Sequence, residues 1–149
     1  MAEARTYTIL MADDDADDCL LVRDALRETG RGYDLRFVRD GEEISDYLHR
    51  RGAYTNGSDA PRPDLILLDL KMPRRGGLEV LGDLKTDPGL RHIPVVALTT
   101  STAEDDIDFS YEMGVNSYIT KPTTFRALVE MMDTLSRYWF DLVELPPKK

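Results

Sequence analysis

The side chains able to do chemistry stand where short apolar runs end. Asp13, Asp14 and Asp15 follow residues 7–12, Asp69 follows 65–68, Thr99 follows 93–98, and Lys121 lies just past 117–119. Asp13, Asp14 and Asp69 held close together would repel one another unless a cation neutralised them. A site with few carboxylates and room for water and a phosphoryl oxygen favours Mg²⁺, which keeps part of its hydration shell, over an all-protein Ca²⁺ cage. An EF-hand is excluded, because the run from Asp13 to Asp18 lacks the glycine and the distal Glu of that loop. With a metal beside it, Asp69 could act as a nucleophile toward phosphorus, as carboxylates do when they form aspartyl phosphates. Lys121 and the metal would spread the charge on the transferred group, and Thr99 would offer a hydroxyl donor.

Those residues can cooperate only if the chain brings the ends of the runs together. The five apolar runs, at 7–12, 35–38, 65–68, 93–98 and 117–119, read as strands. Between them lie stretches with helical spacing, such as Leu21, Val22, Ala25 and Leu26, or Leu78, Leu81 and Leu84. Alternating strand and helix predicts an α/β domain with a parallel sheet, since parallel neighbours need a crossover and right-handed crossovers cover both faces. The uninterrupted Leu65-Ile66-Leu67-Leu68 suits a central strand buried on both sides. In such a sheet all strand ends lie on one edge, where ligands of open α/β sheets bind. Gly30 and Gly32 are expected to end the first helix, Gly114 the fourth, and Pro61 and Pro63 to precede the third strand.

Composition narrows the partners. At 149 residues, with 42% apolar and 32% charged residues, the chain suits a single domain spanning 1–149. A net charge of −9 argues against nucleic acid and anionic membranes, and no apolar run approaches the length of a membrane span. The N-terminus lacks the long apolar stretch of a secretory signal, so a cytoplasmic location is expected. The lone Cys19 reads as a small packing thiol; His49 and His92 read as surface residues with no zinc spacing and no acidic neighbour suited to phosphoryl donation. Asn56-Gly57-Ser58 reads as a turn.

Taken in order, these segments resemble the response-regulator receiver family of two-component signalling. Ile9-Leu10-Met11-Ala12-Asp13-Asp14-Asp15 is similar to its acidic first-strand end. Leu67-Leu68-Asp69-Leu70-Lys71-Met72-Pro73 with Gly76-Gly77 is similar to its phosphoacceptor segment, and Leu98-Thr99-Thr100-Ser101 and Tyr118-Ile119-Thr120-Lys121-Pro122 to its switch and lysine segments. The resemblance implies a doubly wound five-stranded parallel sheet in the flavodoxin-like order 2-1-3-4-5. It implies Asp69 as phosphoacceptor, with Mg²⁺ held by the side chains of Asp14 and Asp69 and the backbone carbonyl of Lys71, and by Asp13 through water. Lys121 would pair with the phosphoryl group, Thr99 would move to hydrogen-bond it, Tyr118 would change rotamer, and the Lys121–Pro122 bond would be cis. The fourth helix, fifth strand and fifth helix would be the readout face. Lys71 and Ser101, two residues past Asp69 and Thr99, would influence phosphoryl lifetime.

The resemblance further implies a phosphorylation-activated regulator that receives its phosphoryl group from a histidine kinase. It is not an enzyme in the usual sense, though it assists its own phosphorylation and slow dephosphorylation. A polar stretch at 52–63 reads as an exposed insertion, and an unusually apolar tail at 139–147 as a homodimer contact, the bland alternative being a tail folded on its own domain. These two features and the Leu98-Thr99-Thr100-Ser101 form are similar to small regulators paired with bacterial and cyanobacterial phytochrome kinases. With few residues after the last helix no output domain is expected, so output would pass by contact or phosphorelay. An aspartyl-phosphate phosphatase is disfavoured because position 71 is Lys rather than a second Asp. A flavin-binding domain is disfavoured because three aspartates after the first strand would repel phosphate. A degenerate receiver that only binds partners is the remaining alternative.

Overall fold

Apolar strands seek the middle of the sheet and mixed ones its edges, and that preference sets the architecture. The computed structural model describes residues 6–57, 59–72 and 76–147. Strands β1 (Thr8–Ala12), β2 (Asp34–Val38), β3 (Leu65–Leu68), β4 (Val95–Thr99) and β5 (Ser117–Thr120) alternate with helices α1 (Ala16–Glu28), α2 (Gly41–His49), α3 (Gly77–Thr86), α4 (Glu104–Glu112) and α5 (Phe125–Ser136). All strand pairs are parallel, in the order β2-β1-β3-β4-β5. Every residue of β1, β3 and β4 is buried, whereas β2 and β5 are mostly half-buried edge strands.

Alternation along each strand divides the core into two layers. Leu10, Ala12, Ile66, Leu68, Val95 and Ala97 face α2 and α3, meeting Ile44, Leu48, Val80, Leu81 and Leu84. Ile9, Met11, Leu65, Leu67, Val96 and Leu98 face α1 and α5, meeting Val22, Ala25, Leu26, Leu128, Met132 and Leu135. Helix starts are set by short polar side chains. Asp15 accepts from the Asp17 and Asp18 amides, Asp40 from Glu43, and Thr124 from Ala127. Gly30 and Gly114 take positive φ, 76° and 105°, just past α1 and α4. Both leave a helix through the left-handed region, where glycine carries no Cβ penalty.

Several expectations need correction. The fourth strand begins at Val95 rather than 93, because Pro94 has no N–H to give the ladder and contributes only its carbonyl, to Ile66. The Lys121–Pro122 bond is trans, as no cis peptide occurs among the described residues; trans is the intrinsically favoured isomer before proline. The 52–63 stretch is not simply exposed. It opens with a 3₁₀ turn (Gly52–Tyr54), Tyr54 packs edge-on against Tyr47 and donates to Glu43, and Ala60 is buried. Asn56 and Gly57 do form a turn, while Ser58 lies outside the described residues, as do Met1–Arg5 and Pro73 of the phosphoacceptor segment.

The tail continues α5 as a π-helix (Arg137–Leu142) that folds back on the domain. Phe140 is buried and stacks on Tyr7 at 4.3 Å, and Arg31 fastens Asp141 at 2.7 Å. Tyr138 and Leu142 remain exposed. His49 is exposed, yet it has an acidic neighbour that its sequence surroundings did not reveal, Asp87 at 3.8 Å.

Candidate functional site

The carboxyl ends of β1, β3, β4 and β5 lie side by side, and backbone hydrogen bonds carry the pairing one residue past β1, β3 and β5. The Asp13 amide donates to Val38, the Asp69 amide to Ala12, and the Lys121 amide to Thr99. This fixes the backbones of the three chemically important residues before their side chains interact. Behind Asp69, α3 approaches so closely that a Cβ on Gly77 would lie 2.4 Å from the Asp69 carbonyl oxygen. Only glycine fits there.

Lys121 is the hub. Its Nζ donates to Asp13 Oδ2 at 2.8 Å, Asp18 Oδ2 at 2.8 Å and Asp69 Oδ2 at 3.1 Å. Burial alone would lower its pKa, but the bonds to Asp13 and Asp18 outweigh burial and raise it, so the ammonium stays charged. Asp13 is fully buried, and burial pushes its carboxyl upward against the opposing pull of Lys121 and the Asp15 amide. Asp69 is 8% exposed, and its Oδ1 accepts from the Lys71 amide at 3.0 Å.

Among the described residues, one ammonium faces more carboxylates here than it can balance. Asp13, Asp14 and Asp69 each offer an oxygen within 4.8 Å of the others, with Asp14 exposed at the mouth. An all-oxygen, anionic and partly open donor set suits a hard divalent cation that retains water. The fit is physical as well as geometric, since a cation would relieve the repulsion that Lys121 only partly offsets.

Of the other expected residues, Thr99 is fully buried at the end of β4, and its Oγ1 has no hydrogen-bond partner among the described residues. An unsatisfied buried hydroxyl costs about 1–3 kcal/mol, so Thr99 would gain from an acceptor brought within reach. Tyr118, half-buried, donates its hydroxyl to the Ser101 carbonyl at 2.8 Å, and the Ser101 hydroxyl bonds to Asp106. Lys71 is exposed. Every expected site residue thus lies at or beside this edge, although Tyr118 faces the β4–α4 loop rather than the carboxylates. Asp18 was missed. In the sequence it stood only as the end of the acidic run from Asp13, and nothing in sequence spacing showed that its carboxylate reaches Lys121.

Known proteins match this arrangement. The family model described as the response regulator receiver domain matches residues 9–133. Response regulator Rcp1 of Synechocystis sp. is 41% identical over 138 residues, 93% of this chain and 92% of its own length. Its solved Mn²⁺-bound form has a TM-score of 0.85 at 40% identity, covering 95% of this chain and 99% of that one. The phosphorylated cyanobacterial phytochrome response regulator RcpA superposes with a TM-score of 0.88 at 40% identity, covering 96% and 100% of the two chains. RPA3017, a response regulator in red light signaling of R. palustris, gives 0.90 at 37% identity over 95% and 99%.

Proposed function

The chain belongs to the response regulator receiver family, and on that premise we propose that Asp69 is the carboxylate that takes up the phosphoryl group and that Mg²⁺ is the cation that assists it. The observation that carries this reading is Lys121, whose ammonium draws Asp13, Asp18 and Asp69 to one point beside the Asp13, Asp14 and Asp69 cluster. Asp14 and Asp69 would hold Mg²⁺ through their side chains, Asp13 through water and Lys71 through its carbonyl. When bound, the metal offsets the negative charge of the phosphoryl oxygens and so lowers the barrier to attack by an anion.

The remaining work falls to the chain's own groups. An Asp69 oxygen attacks phosphorus, the P–N bond of a kinase phosphohistidine breaks, and the imidazole leaves with the electron pair. Lys121 stabilises the charge on the transferred group, and the buried Thr99 hydroxyl gains the acceptor it lacks. Movement of Thr99 would disturb the β4–α4 loop, where the Ser101 carbonyl holds Tyr118. Phosphate thereby biases the α4–β5–α5 face between two arrangements, in proportion to its differential interaction with them.

The likeness to phytochrome response regulators supports a phytochrome-type histidine kinase as the donor. A cytoplasmic location is the reading that goes with such a donor. No helix among the described residues is long and apolar enough to cross a membrane. We read 1–149 as one receiver domain. A homodimer contact at the tail is supported by the exposed Tyr138 and Leu142, and Tyr138 lines a groove of about 460 Å³ together with Ile119, Met131, Leu135 and Trp139. Exposed apolar surface of that kind marks contact sites.

The test is intact mass after incubation with phosphoramidate, with Mg²⁺ or with EDTA, followed by size-exclusion chromatography. One Mg²⁺-dependent phosphoryl group, absent in Asp69→Asn, is the expected result. A folded wild type that takes up none would point to a receiver that only binds partners. Monomer elution at micromolar concentration, with and without phosphate, would reject the tail contact.

A further inference from the structure

An ammonium has three N–H donors, and those of Lys121 are matched by three carboxylate acceptors. Asp13 and Asp69 belong to the cation-binding cluster, but Asp18 does not. Asp18 sits in the first turn of α1, where the Asp15 side chain fixes its amide at 3.3 Å, and its side chain is 33% exposed. Beside it Met11, Leu21, Val22, Leu98 and Leu128 wall a cleft of about 160 Å³. Such an apolar setting strengthens a charge pair at its rim.

A cation bound to the cluster competes with Lys121 for Asp13 and Asp69, whereas Asp18 lies outside that cluster and, among the described residues, pairs with Lys121. A phosphoryl group arriving on Asp69 brings oxygens that need the same ammonium. Resting on the reading of Asp69 and Lys121 above, we propose that Asp18 is a positioning residue: it anchors Lys121 in the resting state and competes with the phosphoryl group for it. Asp18 therefore limits how tightly the phosphorylated arrangement is held. Its carboxylate adds a negative charge near an anionic group and occupies one of the three donors that group would use.

The experiment uses beryllofluoride, a phosphoryl mimic, titrated with Mg²⁺ into the full chain and followed by ¹⁹F NMR. Asp18→Asn is expected to bind it about fivefold more tightly than wild type, the scale of a partly exposed ion pair. Asp18→Glu, which keeps the charge, should return toward wild type. In a Lys121→Met background, Asp18→Asn should change affinity less than about twofold, because the effect runs through the lysine. Asp18→Ser repeats the measurement if the amide disturbs α1. Unchanged or weaker binding in both charge-removing variants would overturn the proposal, the latter showing that Asp18 presents Lys121 to the phosphoryl group. An equal gain without Lys121 would overturn it as well, leaving only through-space charge. Failure of wild type itself to bind beryllofluoride, with Asp69→Asn indistinguishable from it, would sink the phosphoacceptor reading instead.

Discussion

Two half-buried lysines stand at opposite ends of the sheet and have opposite roles. At the carboxyl ends of the strands Lys121 meets three carboxylates, and its pKa is raised. At the amino ends Lys85, in the last turn of α3, donates to the carbonyls of Arg91 and Ile93 and to Asn116 Oδ1, at 3.0–3.3 Å, and burial lowers its pKa. Asn116 Oδ1 also accepts from the Val95 amide, so Lys85 ties α3 to the starts of β4 and β5. Its stem packs on Gly114, where a Cβ would come within 2.9 Å of Lys85 Cγ. Partner chemistry, more than burial, separates the two. Neutral carbonyls satisfy a lysine and fasten the fold, while carboxylates in excess of the cation leave a site that still needs positive charge.

The two lysines should differ most in phosphoryl uptake. Lys121→Met should slow uptake from phosphoramidate about 10²-fold, the scale for losing one preorganised electrostatic partner, while Lys85→Met should leave the rate within about twofold; similar losses in both would erase the distinction.

Stability should show the reverse order. Lys85→Met strands two carbonyls and is expected to cost about 1–3 kcal/mol in urea unfolding. The pH dependence has a definite sign. The folded pKa of Lys85 lies below its unfolded value, which is about 10.4. The unfolded chain therefore binds more protons between the two, and wild type gains stability relative to Lys85→Met as pH climbs through that window. A gap that narrows over the same climb would contradict the assignment.

The smallest effect concerns Thr99, whose hydroxyl is held without a partner among the described residues at the functional end. Thr99→Val, nearly the same shape, should stabilise the resting chain by about 1 kcal/mol. Thr99→Ala should take up phosphate at close to the wild-type rate yet lose most of the response at Tyr118, read by its ring NMR signals. A full response in that variant would remove Thr99 from the switch.

Much of this arrangement is legible in the sequence, because it depends on local pattern. The continuous apolar run at 65–68 marks a central strand, the run at 93–98 marks a further strand, and the convergence of the acidic or hydroxyl residues at their ends follows from parallel topology. What escapes depends on how elements pack. The Asp18–Lys121 bond requires α1 to cross beside the β5–α5 loop, and the Lys85 network reaches from α3 past the nearby Arg91 and Ile93 carbonyls to Asn116, 31 residues on. Phe140 goes inward because Tyr7 and Tyr33 offer it an aromatic pocket, which an apolar tail considered alone cannot reveal. Tyr54 likewise fastens the insertion to α2 through one ring contact with Tyr47 and one hydrogen bond to Glu43.

Locating the phosphoryl group separates Asp69 from the carboxylates around it. Borohydride reduces an aspartyl phosphate to homoserine, so phosphorylated chain can be trapped, digested and mapped by peptide mass spectrometry. Homoserine is expected at position 69 alone, and only when Mg²⁺ was present. Homoserine at 13, 14 or 18, or equal trapping at 69 in EDTA, would contradict that expectation.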